Sequence, residues 1–253
     1  MDYLVYAYLQ VGKDTSAQKV LSEMASISRL DENQFAAAYA FAATPARWAL
    51  ERHDWKAAAA LEVRPAWFPW SRFRNAEVLV HYAKAIGAAR AGDVVAARRS
   101  ADEIAAIRAA MPAARDYDWS GSIAVQWETA TALIALAQGN RDDGIRSLRM
   151  AADHEDAVDK HPVTPGALLP ARELLADALL DMGAPSEALK EYEAVLKTAP
   201  RRFNATAGAA KAADRTGDGT KARAYAMQLR EIAHNAESPR PELVWARQLL
   251  SKQ

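Results

Sequence analysis

No cysteine occurs in the 253 residues, which excludes a disulfide framework, a thiol nucleophile and a thiolate metal site. Net charge is also missing. The 32 Lys and Arg balance 32 Asp and Glu, so no overall field gathers nucleic acid or an anionic membrane surface. Charges interrupt the apolar runs before any reaches the roughly 20 residues that a membrane-spanning helix needs. β-branched residues are sparse and nowhere alternate with polar ones over a strand's length. The opening Met1-Asp2-Tyr3-Leu4 carries no basic segment, so no signal peptide is expected. These absences predict a cytoplasmic chain with no nucleic-acid or membrane partner and no cofactor.

What is present is alanine, in runs such as Ala36-Ala37-Ala38 and Ala57 to Ala60. Alanine loses the least on entering a helix, and the chain is expected to be all-α. Short turns punctuate it at Gly12-Lys13-Asp14, His53-Asp54-Trp55, Gly92-Asp93-Val94, Gly139-Asn140-Arg141, Gly183-Ala184-Pro185 and Gly217-Asp218-Gly219. Five of the six begin with glycine, the residue that closes a helix in the left-handed conformation at least steric cost. Successive turns lie roughly 34–47 residues apart, the range of helical repeat units. Two helices of about 12 to 15 residues and two turns fill that length, so each unit is expected to be a helical hairpin.

The last two hairpins carry a family resemblance. Arg172-x2-Leu175-Ala176-x2-Leu179, then Gly183, Ala188-x3-Tyr192 and Pro200 resemble the tetratricopeptide pattern W-x2-L-G-x2-Y, A-x3-F and P. Ala209-Ala210, Gly217 and Ala222-x3-Ala226 repeat it one unit on, all at the offset that separates Gly217 from Gly183. Small residues at Ala176, Ala188, Ala210 and Ala222 would let neighbouring helices approach, with Leu175 and Tyr192 filling the gap. Earlier units match more loosely, and their first helices lack the tryptophan and glycine. The chain thus resembles bacterial tetratricopeptide repeat proteins without an assigned reaction. The resemblance implies one right-handed α-solenoid of about six hairpins, at residues 1–30, 33–63, 74–111, 121–154, 168–199 and 202–235, with a capping helix at 241–252. Met1 falls inside the first expected helix, leaving the short N-terminal hairpin in need of cover, from an upstream neighbour or through a homodimer.

Extra residues fall between hairpins at 64–72, 112–120 and 161–170, and in a solenoid such connections share one edge. The first holds Trp67, Phe68, Trp70 and Arg72 among prolines. The second holds Arg115, Asp116, Tyr117 and Trp119, and the third His161 and Pro162 to Gly166. Aromatic faces beside arginines suit an extended peptide or an apolar ligand, while the same rings can also close the seam between hairpins. Glu173, Asp177 and Asp181 share a helix face, and Lys211 and Arg215 stand one repeat unit after Asp177 and Asp181. They either pair between repeats or line a charged groove, continued by Tyr6, Arg47, Glu51, Tyr82 and Arg90. Asp153-His154-Glu155-Asp156 with Asp159 and His161 offers metal-type ligands, but not at a known ligand spacing.

Enzyme motifs fail. Ser16-Ala17-Gln18-Lys19 has no accompanying S-D-N or K-T-G, and Gly217-Asp218-Gly219-Thr220-Lys221 lacks the order of a phosphate loop. The expectation is a non-enzymatic scaffold for a protein or peptide, anchored by Trp67, Trp70, Trp119, Tyr82 and Arg72. The alternative is a small-molecule or catalytic pocket where the three inserts meet, using His161, Trp70 and Trp119.

Overall fold

A computed structural model describes residues 1–111, 117, 119–159, 161 and 164–251. Among these the protein is all-helical, with thirteen α-helices, one 3-10 turn at Trp70–Arg72 and no strand. The helices are α1 (Asp2–Gln10), α2 (Asp14–Ala25), α3 (Phe35–Glu51), α4 (Trp55–Ala59), α5 (Arg74–Arg90), α6 (Val94–Ala109) and α7 (Trp119–Ala137). They continue with α8 (Arg141–Ala157), α9 (Ala171–Asp181), α10 (Pro185–Thr198), α11 (Phe203–Arg215), α12 (Gly219–Ile232) and α13 (Pro241–Ser251). Among the described residues no helix is long and apolar enough to cross a membrane.

One local device recurs at the hairpin turns. Gly12, Gly92, Gly139, Gly183 and Gly217 take φ between 72 and 85°, and His53 joins them at 53°. This left-handed residue ends one helix. In three turns the next residue is an aspartate whose carboxylate caps the following helix: Asp54 accepts from Ala57 N, Asp93 from Ala96 N and Asp218 from Lys221 N, at 2.9–3.0 Å. Each such cap stabilises its helix by about 1 kcal/mol.

Contacts divide the chain into two compact units. The first comprises Met1–Tyr6 and Lys19–Ala171, the second Ala7–Gln18 and Arg172–Gln253. In the first, α5 packs on α3, α4, α6 and α7, and α7 in turn on α6 and α8. Leu50, Ile86, Ile104, Ile107, Ile123 and Leu148 are fully buried there. Gly87 allows the closest approach: a Cβ on it would sit 2.5 Å from Ala59 N and 2.6 Å from Trp55 O, so α5 meets the backbone of α4 directly.

In the second unit α11 packs on α10 and α12, and α13 on α12. Phe203, Ala207, Ala226, Leu229, Leu243 and Ala246 form its core, with Leu250 partly buried against them. Residues from the chain's beginning are built in. The Gln10 side-chain carbonyl accepts from Phe203 N at 2.8 Å. Asp14 forms a buried pair with Arg240, with Nε 3.0 Å from Oδ1, and also accepts from Ser238 Oγ. The Glu237 carboxylate takes the amide and hydroxyl of Ser16 at 2.8 and 2.7 Å, while Glu237 N donates to Gly12 O at 3.0 Å. Gln10, Gly12, Asp14 and Ser16 of the first expected hairpin are thus held by later residues of the same unit.

Candidate interaction surface

Two groups of rings in the first unit are anchored on α3. The first gathers Phe35 and Tyr39 from α3, Tyr117 and Trp119 from the second insert, and His161 from the third. Trp119 and His161 stack at 4.9 Å with planes 26° apart. Tyr117 meets them edge-on at 4.8 and 4.9 Å, and Phe35 lies 4.9 Å from Trp119 and 5.4 Å from His161. The Tyr117 hydroxyl donates to Asp159 O at 2.6 Å and lies 2.7 Å from Ser122 Oγ, which fixes its ring. Phe35, Tyr117, Trp119 and His161 are all half-buried. At such separations the rings touch one another.

In the second group, around the first insert, Phe68 is buried and contacts Phe41, Trp67, Trp70 and Phe73 at 5.1–5.9 Å. Trp70, expected as an anchor, is buried and spends its indole N–H on Pro65 O at 3.0 Å. Trp67 keeps 42% of its surface exposed, and Arg72 is exposed with its guanidinium over the Phe73 ring. Much of this insert is packing, with Trp67 and Arg72 left at the surface.

Further along α3, Arg47 is fully buried. Its Nε and Nη2 grip the Asp2 carboxylate at 2.9 and 3.1 Å, and Nη1 and Nη2 donate to Ala167 O and Gly166 O at 3.0 and 3.4 Å. Burial works against its charge, but the Asp2 carboxylate, with Tyr39 and Glu51 adding to it, outweighs that and raises the guanidinium above its ordinary range. Tyr39, nearby, has its phenol pushed up to about 12, chiefly by burial, with Asp2 adding to the effect and Arg47 opposing it.

Several residues expected along an open groove lie inside the first unit. Arg47, Glu51 and Tyr82 are at most 2% exposed, and burial, reinforced by the Glu155 carboxylate, pushes the Tyr82 phenol well above its ordinary range. The correction has a physical cause. Four-residue spacing places side chains on one face of a helix but says nothing of what covers that face. Arg90 lies over the Trp55 ring at 5.1 Å, and that ring stacks on His53 at 4.8 Å.

In the second unit Glu173 is buried and bound by both ends of the Arg202 fork at 2.6 and 2.9 Å, so it is a core ion pair. Asp177 accepts from the Tyr192 hydroxyl at 2.5 Å. Lys211 faces Glu242 at 3.7 Å, Arg215 donates to Leu180 O at 2.8 Å, and Asp181 is exposed. The acidic stretch at the end of α8 is divided among other tasks: His154 bonds Glu128 at 2.8 Å and Glu155 accepts from Ala171 N, the first residue of α9, at 2.6 Å. Among the described residues no three His, Asp or Glu converge as metal ligands would. Pro112, Arg115 and Asp116 of the second insert, Lys160 just before the third, Pro162 and Val163 within it, and Lys252 of the capping segment lie outside the described residues.

Compared with known proteins, the chain matches no protein-family model and no curated protein.

Three participants, Phe35, Tyr39 and Asp2, were not foreseen from the sequence. Phe35 joins the ring surface from a segment far upstream of Trp119; its pairing with Tyr39 at i, i+4 was the available signal. Asp2 had no signal beyond being an acid at the start of a helix.

Proposed function

We propose that this protein is a tetratricopeptide-type helical scaffold, a right-handed solenoid of hairpins acting in the cytoplasm, which binds a protein or peptide partner without chemistry of its own. The recurring helix pairs, each closed by a left-handed residue, support the repeat reading. The observation that carries the binding reading is the half-buried surface of Phe35, Tyr117, Trp119 and His161, brought together from three separate segments. Clustered rings of this kind supply large, rigid contact area at low entropic cost, as binding hot spots do.

The test is an array of extended peptides from the source cell's proteins, probed with wild type and Trp119→Ala. An anchor is worth about 2 kcal/mol or more, so the variant should bind about 30-fold more weakly with unchanged helicity. Failure of the wild type to bind any peptide, or equal binding by both proteins, overturns the assignment.

A further inference from the structure

The Asp2–Arg47 pair does more than neutralise itself in the core of the first unit. Arg47 uses its remaining donors on Gly166 O and Ala167 O, two backbone acceptors of the third insert. Shortly before them in that insert, both the amide and the hydroxyl of Thr164 donate to His161 O at 3.1 Å. The Tyr39 hydroxyl bonds Thr164 and lies in the field of Arg47 and Asp2. On the same helix, one turn before Tyr39, Phe35 touches the His161 ring. A continuous set of contacts therefore runs from the first turn of α1 through Arg47 and Thr164 to the imidazole at the centre of the ring surface.

Resting on the reading of that surface as a binding site, we propose that Arg47 is its positioning residue, anchored by Asp2. Its planar fork reaches a carboxylate on one side and two carbonyl groups on the other, fixing the insert that presents His161. A lysine could keep the charge opposite Asp2 but could not hold three acceptors in fixed directions. Arg47 is fully buried, so it touches no partner and acts only through the insert. The state of the first helical turn then sets how Trp119 and His161 are presented: with the turn docked the rings are stacked, and with Asp2 withdrawn the fork loses the group that aims it.

The experiment follows the imidazole resonances of the five histidines by carbon-13 NMR, with His161 assigned through His161→Gln. In Arg47→Lys the His161 ring signal should move to the position of a free imidazole as the shielding by Trp119 and Phe35 is lost, while those of His81 and His154, held by Glu77 and Glu128, stay in place. A His161 signal that does not move overturns the proposal, whatever happens to the melting temperature. Should Arg47→Lys lose its far-ultraviolet helicity, Asp2→Asn is used, which keeps the shape of the acceptor and removes only its charge. It should shift His161 in the same direction, and an unmoved signal there is equally fatal. No partner is needed for this measurement, so its failure leaves peptide binding standing. A shifted His161 with an empty peptide array removes the binding reading alone.

Discussion

Replacing Gly208 by alanine sets two effects of opposite sign against each other. Gly208 lies inside α11, where exchange of glycine for alanine favours the helix by about 1 kcal/mol. The added Cβ, however, would stand 2.3 Å from two ring carbons of Tyr192 and 2.8 Å from a third. Carbon atoms in contact sit about 3.5–4.0 Å apart, so the ring would have to retreat by more than about 1 Å. It has little room, being 1% exposed and tied through its hydroxyl to Asp177. Overpacking costs about 1–3 kcal/mol, and a ring pinned at its far end belongs near the top of that range. The net expectation for Gly208→Ala is a loss of about 2 kcal/mol, lowering the melting temperature of a chain this size by about 4–8 °C. Tyr192→Leu makes space for the new methyl group. In that background the same Gly208→Ala exchange should stabilise by about 1 kcal/mol, giving a coupling energy of about 3 kcal/mol. Denaturant midpoints of the four proteins, read by circular dichroism in the far ultraviolet, measure it. Stabilisation by the single Gly208→Ala variant, or a coupling energy below the range of residues in contact, about 0.5 kcal/mol at its lower end, would refute the close approach of the Tyr192 ring to α11.

Two further outcomes follow from buried charges and phenols. Arg202→Met leaves the buried Glu173 carboxylate unpaired and should cost about 3–5 kcal/mol in chemical denaturation, most of it recovered in the Glu173→Met/Arg202→Met double variant; a loss under about 1 kcal/mol would contradict the pair's burial. For Tyr39 the folded pKa is about 12 against an unfolded value near 10. A raised acid of this kind gives its full stability below pH 10 and loses it as pH climbs from 10 towards 12, about 2–3 kcal/mol in all. Denaturation midpoints of wild type should therefore fall more steeply over that window than those of Tyr39→Phe, and parallel curves would exclude the raised phenol.

The all-helical character was legible because alanine abundance, the lack of alternation and the turn residues agree with one another. At the six turns the glycines, and even His53, take the left-handed conformation that such turns require. The candidate surface was legible only in part. Trp119, His161 and Tyr117 were singled out as residues of neighbouring inserts, and their rings do meet. Trp70 and Tyr82 were read as available and lie inside, since an aromatic ring looks the same in sequence whether it faces solvent or core. Arg47 offered one usable sign. It and Glu51 are the only charges in α3, and a charge that an apolar helix does carry inside must find a partner there. Asp2, 45 residues away, could not be named as the partner, because ion pairing between distant segments leaves no spacing to recognise.

The buried pair of Asp14 and Arg240 spans 226 residues of sequence, and this bears on how the protein is made. A ribosome adds roughly 5–20 residues each second, so Asp14 emerges about 10–45 s before its arginine exists. Gln10, Gly12 and Ser16 wait in the same way for Phe203 and Glu237. Throughout that interval residues 7–18 carry polar groups and apolar side chains whose permanent neighbours have not been synthesised. The second unit is therefore obliged to finish folding after translation of its own last helix, and a nascent chain stalled before residue 240 would expose its opening residues to chaperones.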